Sequence, residues 1–345
     1  MHRLAESACL HNVASVEPAD GMLRLCRVPA ALLPRLSAKG VERAYATAGI
    51  ELRFRLRSPL VRVMLRPMPD SNPAFAHPAA LLAGVYHGDF QQGWYAVSPG
   101  GTTLEIVPHP ALASLAPHRK RFDPALVRVV LPTFPEVRLV AVEGEWSPPA
   151  PGDAPARRFL AYGSSITHGA YTPLATETYP AIIGRSFGAD VINLGFGGGA
   201  KLEPEMADWI VSRDDWHAAS MELGINLLGE CDPSAFRLRL RRFLAAFAGD
   251  HLRRPVACLD VLTHGSELAG GGGAAKTRAF RRAVAEETAA LHDPRIRHVA
   301  YAPALGDITG LSADLLHPAV HGFAALGTGL VARLRRFPAF AQALA

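Results

Sequence analysis

The rhythm of apolar and polar residues changes near the middle of the chain. Up to about residue 146, short runs alternate between the two types and are broken by Pro and Gly. Ile50-Glu51-Leu52-Arg53-Phe54-Arg55-Leu56 has the period of two of a half-buried strand, and residues 61–65, 104–107, 126–130 and 137–144 extend the pattern. Many short strands separated by turn signals predict an all-β sandwich. Ser147-Pro148-Pro149-Ala150-Pro151-Gly152-Asp153-Ala154-Pro155 supports neither period and reads as a linker. Beyond it, strand-like runs at 158–162, 189–194, 218–223, 255–262 and 296–300 alternate with helical patterns near 179–187, 203–211, 233–248 and 275–291. Short connections between such units predict a parallel, doubly wound α/β sheet. The expected organisation is an N-terminal β-sandwich over 1–146, a linker over 147–156 and an α/β domain over 157–345. The run Gly270-Gly271-Gly272-Gly273 is expected to be a flexible loop before the last of these helices.

Candidate chemistry gathers at the strand ends of the second region. In Tyr162-Gly163-Ser164-Ser165-Ile166-Thr167-His168-Gly169, two serines stand where the first strand stops. Open α/β sheets bind ligands at the carboxyl ends of their strands, so a nucleophile is well placed there. Such a serine needs a base, an orienting acid and oxyanion donors. Ser312-Ala313-Asp314-Leu315-Leu316-His317-Pro318 sets a carboxylate three residues before an imidazole, close enough on one turn or short helix for the acid to fix the ring tautomer. Asn193-Leu194-Gly195-Phe196-Gly197-Gly198-Gly199 can present backbone N–H groups, and Gly224-Ile225-Asn226 a side-chain amide.

Ser, Gly, Asn and then Asp-x-x-His, in that order over residues 158–335, resembles the SGNH (GDSL-type) esterases and acylhydrolases. The resemblance implies a flavodoxin-like parallel sheet and a reaction that needs no cofactor. It makes Ser165 the nucleophile, His317 the base and Asp314 its partner, with Ser165, Gly198 and Asn226 forming the oxyanion hole. Ser164 stands where the family's Gly-Asp-Ser has aspartate, and Leu227 where an aspartate often follows the block asparagine. A β-sandwich ahead of such a domain resembles a two-domain group of bacterial esterases and acyltransferases, in several of which the jelly-roll-like extra domain helps to form the substrate cleft or contacts sugar. The aromatic and polar segment 86–95, expected between strands, is the candidate for that contribution. The expected activity is hydrolysis of an O-acyl ester of a small polar alcohol, sugar or natural product through an acyl-enzyme. Transfer of the acyl group to an alcohol acceptor uses the same residues. A non-catalytic binding protein on this scaffold would be marked by loss of Ser165 or His317, and both are present.

Each block alone has an ordinary reading, such as a loop serine or a capped turn with a surface histidine. Their joint order and spacing carry the argument. Gly195-x-Gly197-x-x-Ala200 fits a relaxed dinucleotide fingerprint, but the serine motif occupies the first βα unit, and Glu222 falls inside the next strand rather than at its tip. Neither a Walker A pattern nor a Gly-x-Ser-x-Gly elbow occurs. His317 and His321 lack the glutamate of a zinc helix and flank Pro318, and His264, His292 and His298 are scattered, so no metal is expected. Glu267 reads as a loop carboxylate.

The 345 residues suffice for two cores, and 49% apolar with 19% charged residues describes a globular chain. The net charge of +5 is dispersed. Its densest run, Arg237-Leu238-Arg239-Leu240-Arg241-Arg242, alternates with leucine as one side of an amphipathic helix, so nucleic acid is not an expected partner. Residues 1–10 are too polar for a signal segment, and no run approaches the roughly 20 apolar residues that span a bilayer. Cys9, Cys26, Cys231 and Cys258 have neither metal nor disulfide spacing, which fits reduced thiols in the cytoplasm. A small-molecule acyl ester is the expected partner, and the oligomeric state is left open.

Overall fold

The computed structural model describes residues 9–70 and 81–345, so the reading of the first eight residues as too polar for a signal lies outside the described residues. Two compact units divide the chain. One takes the chain up to Ala30, then Ala44–Ala156 and Thr172–Thr176, and the other takes Ala31–Arg43, Arg157–Tyr171 and Glu177–Ala345.

The first unit holds two antiparallel sheets. One is ordered Leu10–His11, Glu51–Leu56, Leu126–Val130, Leu82–His87, Phe90–Ala96, with Trp146–Ser147 also pairing with Glu51–Leu56. The other is ordered Ser15–Ala19, Met22–Cys26, Val137–Glu143, Val61–Pro67, Thr102–Ile106. The expected alternation is plain in Val61–Pro67, where Val61, Val63 and Leu65 are buried while Arg62 and Arg66 are exposed. A single core joins Phe54, Val127 and Val129 of one sheet to Leu25, Val63 and Leu139 of the other, which makes the unit a sandwich.

Segment 86–95 does not lie between strands, because Leu82–His87 and Phe90–Ala96 pair as a hairpin. Phe90–Ala96 is an edge strand, so Gln91 and Gln92 can face water, and that polarity hid the strand. Ser15–Ala19 was hidden too: it contains Pro18, a residue sheets tolerate at their edges, and it is an edge strand. Within this unit the Tyr86 hydroxyl lies 3.0 Å from Thr176 Oγ1, and Ala175 packs with Tyr86 and Val130. The stretch after Trp146–Ser147 is irregular but fastened, since the buried Asp153 accepts from Arg55 Nε at 2.8 Å and from the Ala150 N–H at 2.7 Å.

The second unit is built on a five-stranded, all-parallel sheet ordered Asp190–Gly195, Arg158–Gly163, Ala218–Glu222, Val256–Leu259, Ile296–Val299. In chain order this is 2-1-3-4-5, the flavodoxin-like arrangement, whose switch point lies between the first and third strands. Helices start where the sequence offers caps. Thr178 precedes Tyr179–Phe187, and Asp232 Oδ1 accepts from the N–H groups of Ser234 and Ala235 at 2.8 and 2.9 Å ahead of Pro233–Ala248. The glycine run is not a loop. Gly270 caps a helix that spans Gly271–Ala290, because buried Ala274, Thr277 and Phe280 anchor its first turns, with Phe280 stacked on Phe236 at 4.0 Å. Packing there overrides the low helical preference of glycine. The segment Ala31–Arg43 belongs to this unit although the sandwich strands follow it in sequence. Its Gly40 lies against Gly199 so closely that a Cβ on Gly199 would fall 2.8 Å from Gly40 Cα, and Arg35 Nε reaches Glu205 Oε1 at 3.4 Å. Among the described residues, no helix is long and apolar enough to cross a membrane.

Candidate active site

The site is assembled at the switch point. After Arg158–Gly163 the chain enters a single helical turn, Ser165–His168, closed by Gly169 in the left-handed region at φ 104. Ser164 is the cap: its backbone is extended and its Oγ accepts from the Ile166 N–H at 3.1 Å. Ser165 is the first residue of the turn, where a backbone N–H has no helical acceptor. That N–H has no acceptor among the described residues.

Ser165 Oγ lies 2.7 Å from His317 Nε2, and His317 Nδ1 lies 2.6 Å from Asp314 Oδ2. A carboxylate facing Nδ1 favours the tautomer with its proton there, leaving Nε2 free to accept from the serine hydroxyl. The expected turn or short helix is a tight loop pinned by a bridge between Leu311 and Pro318, and the Ser312 N–H donates to the His317 carbonyl at 2.8 Å. Asp314 Oδ1 accepts from Ser312 Oγ at 2.6 Å and from the N–H groups of Leu316 and His317 at 2.9 and 3.0 Å. Burial alone would raise the Asp314 carboxyl, but the bonds from His317, Ser312 and these N–H groups outweigh it and hold it at about 2. Tyr171, exposed and at φ 68, sets its ring 5.2 Å from the His317 ring. Burial and the adjacent Asp314 charge raise its phenol.

The other predicted residues lie on neighbouring strand ends. Gly198 adopts φ 72, a conformation open to glycine, and its N–H has no acceptor among the described residues. Asn226 sits in a short 3-10 turn, Ile225–Leu227, reached through Gly224 at φ 114. Its Nδ2 donates to the Phe196 carbonyl at 3.2 Å, the same oxygen that accepts from the Gly199 and Ala200 N–H groups, so Asn226 and the glycine turn are held together. No hydrogen bond joins Gly198 or Asn226 to Ser165 among the described residues. Asn193 ties its strand to the serine turn by donating from Nδ2 to the Thr167 carbonyl at 2.9 Å and accepting from the Gly195 N–H at 2.8 Å. Three of the other histidines are engaged elsewhere: His264 with Thr277, His298 with Asp260 and His321 with the Thr309 carbonyl. Glu267 is bound to Arg281 in a short helix rather than free in a loop.

Glu222, which in the sequence is only misplaced for a cofactor ligand, is a further residue of the site. It ends the third strand, fully enclosed, directly beneath the serine turn. Its Oε2 accepts from the Ser164 N–H and from Thr167 Oγ1, each at 2.8 Å, and its Oε1 from Ser164 Oγ at 2.7 Å. Burial raises its carboxyl, and those bonds only partly offset the effect. The signal was available: a glutamate at the end of a buried strand in a chain whose serine turn lacks the usual aspartate. Tyr171 left no such sign, because its position depends on a left-handed backbone no pattern announces.

Residues 156–321 match the sequence model of the GDSL-like lipase/acylhydrolase family. A comparison with curated protein sequences found no match. Among solved structures, a salicylyl-acyltransferase from a tetracycline biosynthetic pathway superposes with a TM-score of 0.79 at 21% identity, covering 97% of each chain. A protein of Bacteroides ovatus named as a GDSL-like lipase gives 0.71 at 19% identity over 96% of each chain. A family two carbohydrate esterase from Cellvibrio japonicus gives 0.62 at 16% identity, again over 96% of each chain. At these identities the likeness is one of fold, and it extends over both units. The family match is made by the segment that carries the serine turn, the glycine turn and the Asp-x-x-His loop, and by it residues 156–321 are a domain of the GDSL-like lipase/acylhydrolase family.

Proposed function

We propose that the protein is a serine esterase that cleaves O-acyl esters of a small polar alcohol, sugar or natural product. The observation that carries this reading is the run of short contacts from Ser165 Oγ to His317 Nε2 at 2.7 Å and from His317 Nδ1 to Asp314 at 2.6 Å. Ser165 Oγ attacks the ester carbonyl as His317 Nε2 takes its proton, and ionised Asp314 stabilises the imidazolium that forms. The tetrahedral oxyanion is held by the N–H groups of Ser165 and Gly198 and by the Asn226 amide. Collapse of that intermediate expels the alcohol, which takes the proton from His317 and leaves an acyl-enzyme. Water, deprotonated by His317, then releases the acid.

Transfer to an alcohol acceptor is the second reading, favoured by the extent of the fold likeness to a protein named as an acyltransferase. The two differ only in what resolves the acyl-enzyme. A panel of p-nitrophenyl esters of increasing acyl length, assayed with and without added alcohols, tests both. Ser165-dependent release of p-nitrophenol supports the esterase, and acylated alcohol formed at the expense of free acid supports the transferase. Absence of any Ser165-dependent turnover contradicts both.

A further inference from the structure

The arginine-rich run 237–242 is split by the fold. Arg237 Nη1 reaches Glu287 Oε1 at 3.0 Å, and Arg241 Nε reaches Glu287 Oε2 at 2.9 Å, so these two bind the Gly271–Ala290 helix. Arg239 and Arg242, three apart on the Pro233–Ala248 helix, line a cavity of about 790 Å³ on another side of it. Neither guanidinium has an ion pair or hydrogen bond among the described residues. The other cations of the wall are engaged: Lys39 Nζ binds Glu42 at 2.8 Å, and Lys201 Nζ binds Glu230. The remaining wall carboxyl, Glu203, is pushed up by burial and so carries its negative charge less readily. The cavity therefore presents uncompensated positive charge in a fork geometry suited to planar anions.

Its position links it to the reaction. Gly198, whose N–H is a proposed oxyanion donor, lies in the cavity wall, and the stem of Lys39 runs beside it, with Cγ 3.3 Å from where a Cβ on Gly198 would lie. Lys201, another wall residue, donates to the Asn226 carbonyl at 2.8 Å. A volume of this size suits a small-molecule ligand. We propose that this cavity is a subsite for an anionic group, in the first place a carboxylate, at the far end of the acyl chain, held by Arg239 and Arg242. The inference rests on the esterase reading for the placement of the acyl group.

Two measurements on the full chain test it. The first compares kcat/KM for p-nitrophenyl hemiglutarate and p-nitrophenyl valerate, which differ in a terminal carboxylate. The wild type prefers the hemiglutarate, and an Arg239→Ala/Arg242→Ala variant lowers that preference about tenfold while valerate turnover stays unchanged. The second titrates glutarate, and separately inorganic phosphate, by calorimetry. Glutarate binding weakens about tenfold in the double variant and declines as salt is raised. Tighter binding of phosphate than glutarate, lost in the same variant, assigns the subsite to phosphate instead and overturns the carboxylate. No preference in the wild type, or a preference and glutarate affinity that survive the double variant, overturns the subsite while leaving the esterase reading intact. If neither ester reacts, the esterase reading fails, and the calorimetric comparison decides the subsite alone.

Discussion

Ser164 and Ser165 are adjacent hydroxyls with different partners, and the difference sets what each substitution does. Ser165 Oγ faces His317, whereas Ser164 Oγ faces Glu222 and the Ile166 N–H. Ser165→Ala is expected to lower kcat by several orders of magnitude, roughly 10⁴ or more, without loss of fold. Ser164→Ala removes a helix cap and leaves Glu222 short of donors, so it should reduce stability by about 1–2 kcal/mol and kcat far less than its neighbour does. Steady-state kinetics and thermal melts of the two variants check this, and an inactive Ser164→Ala beside an active Ser165→Ala contradicts it. Glu222 holds the serine turn through Ser164 and Thr167, and the role expected of it is positioning. Glu222→Gln keeps the shape but points an amide N–H group at donors, so kcat should fall while KM holds. Because burial raises the carboxyl, the folded state binds the proton more tightly than the unfolded one. Native Glu222 therefore loses stability as pH rises above the ordinary carboxylate range, and the glutamine variant should gain in Tm relative to wild type over that rise. Asp314 has the opposite sign. Its carboxyl is lowered from 3.8 to about 2, so it contributes stability above pH 4 that fades as pH falls toward 2. The Tm deficit of Asp314→Asn should shrink across that window; a constant deficit contradicts the assignment. Ser165, Asp314 and His317 were legible because each lies in a short local motif. Glu222 and Tyr171 were not, because only distant strands and a left-handed turn bring them beside the motif.

At the scale of elements, the tip of each strand matters more than its length. Most strands and helices of the α/β unit were legible from periodicity, with the Tyr179–Phe187 and Pro233–Ala248 helices at their expected bounds. The glycine run and the edge hairpin were not, since in one case tertiary packing and in the other solvent exposure overrode the local pattern. The glycine turn after Asp190–Gly195 has no room to vary. A methyl group on Gly199 meets the Gly40 backbone at 2.8 Å, so Gly199→Ala must displace either the 31–43 segment or the turn that bears Gly198. The expected result is a lower Tm together with reduced kcat, and an unchanged Tm would show that the contact yields easily. Asn226 lies at the end of the third strand on its own short turn. Asn226→Ala should lower kcat by roughly 10²–10³ with KM nearly unchanged, because the proposed role of its amide is to act on charge that develops in the transition state. A loss confined to KM would place the residue in substrate binding instead.

At the scale of the whole molecule, no sequence pattern revealed that Ala31–Arg43 belongs with the α/β unit, since a run between sandwich strands looks like part of the sandwich. The Gly40–Gly199 approach and the Arg35–Glu205 pair make that segment part of the unit's surface. A chain beginning at Arg157 lacks it and should melt well below the full chain, or fail to stay folded, even though it contains every residue of the proposed triad. The central claim is that Ser165, activated by His317, becomes covalently acylated. A fluorophosphonate probe followed by intact-mass and peptide analysis reads this directly. One adduct is expected, on Ser165, absent from Ser165→Ala and strongly slowed in His317→Ala. An adduct on Ser164 or elsewhere, or none on the wild type, would contradict it.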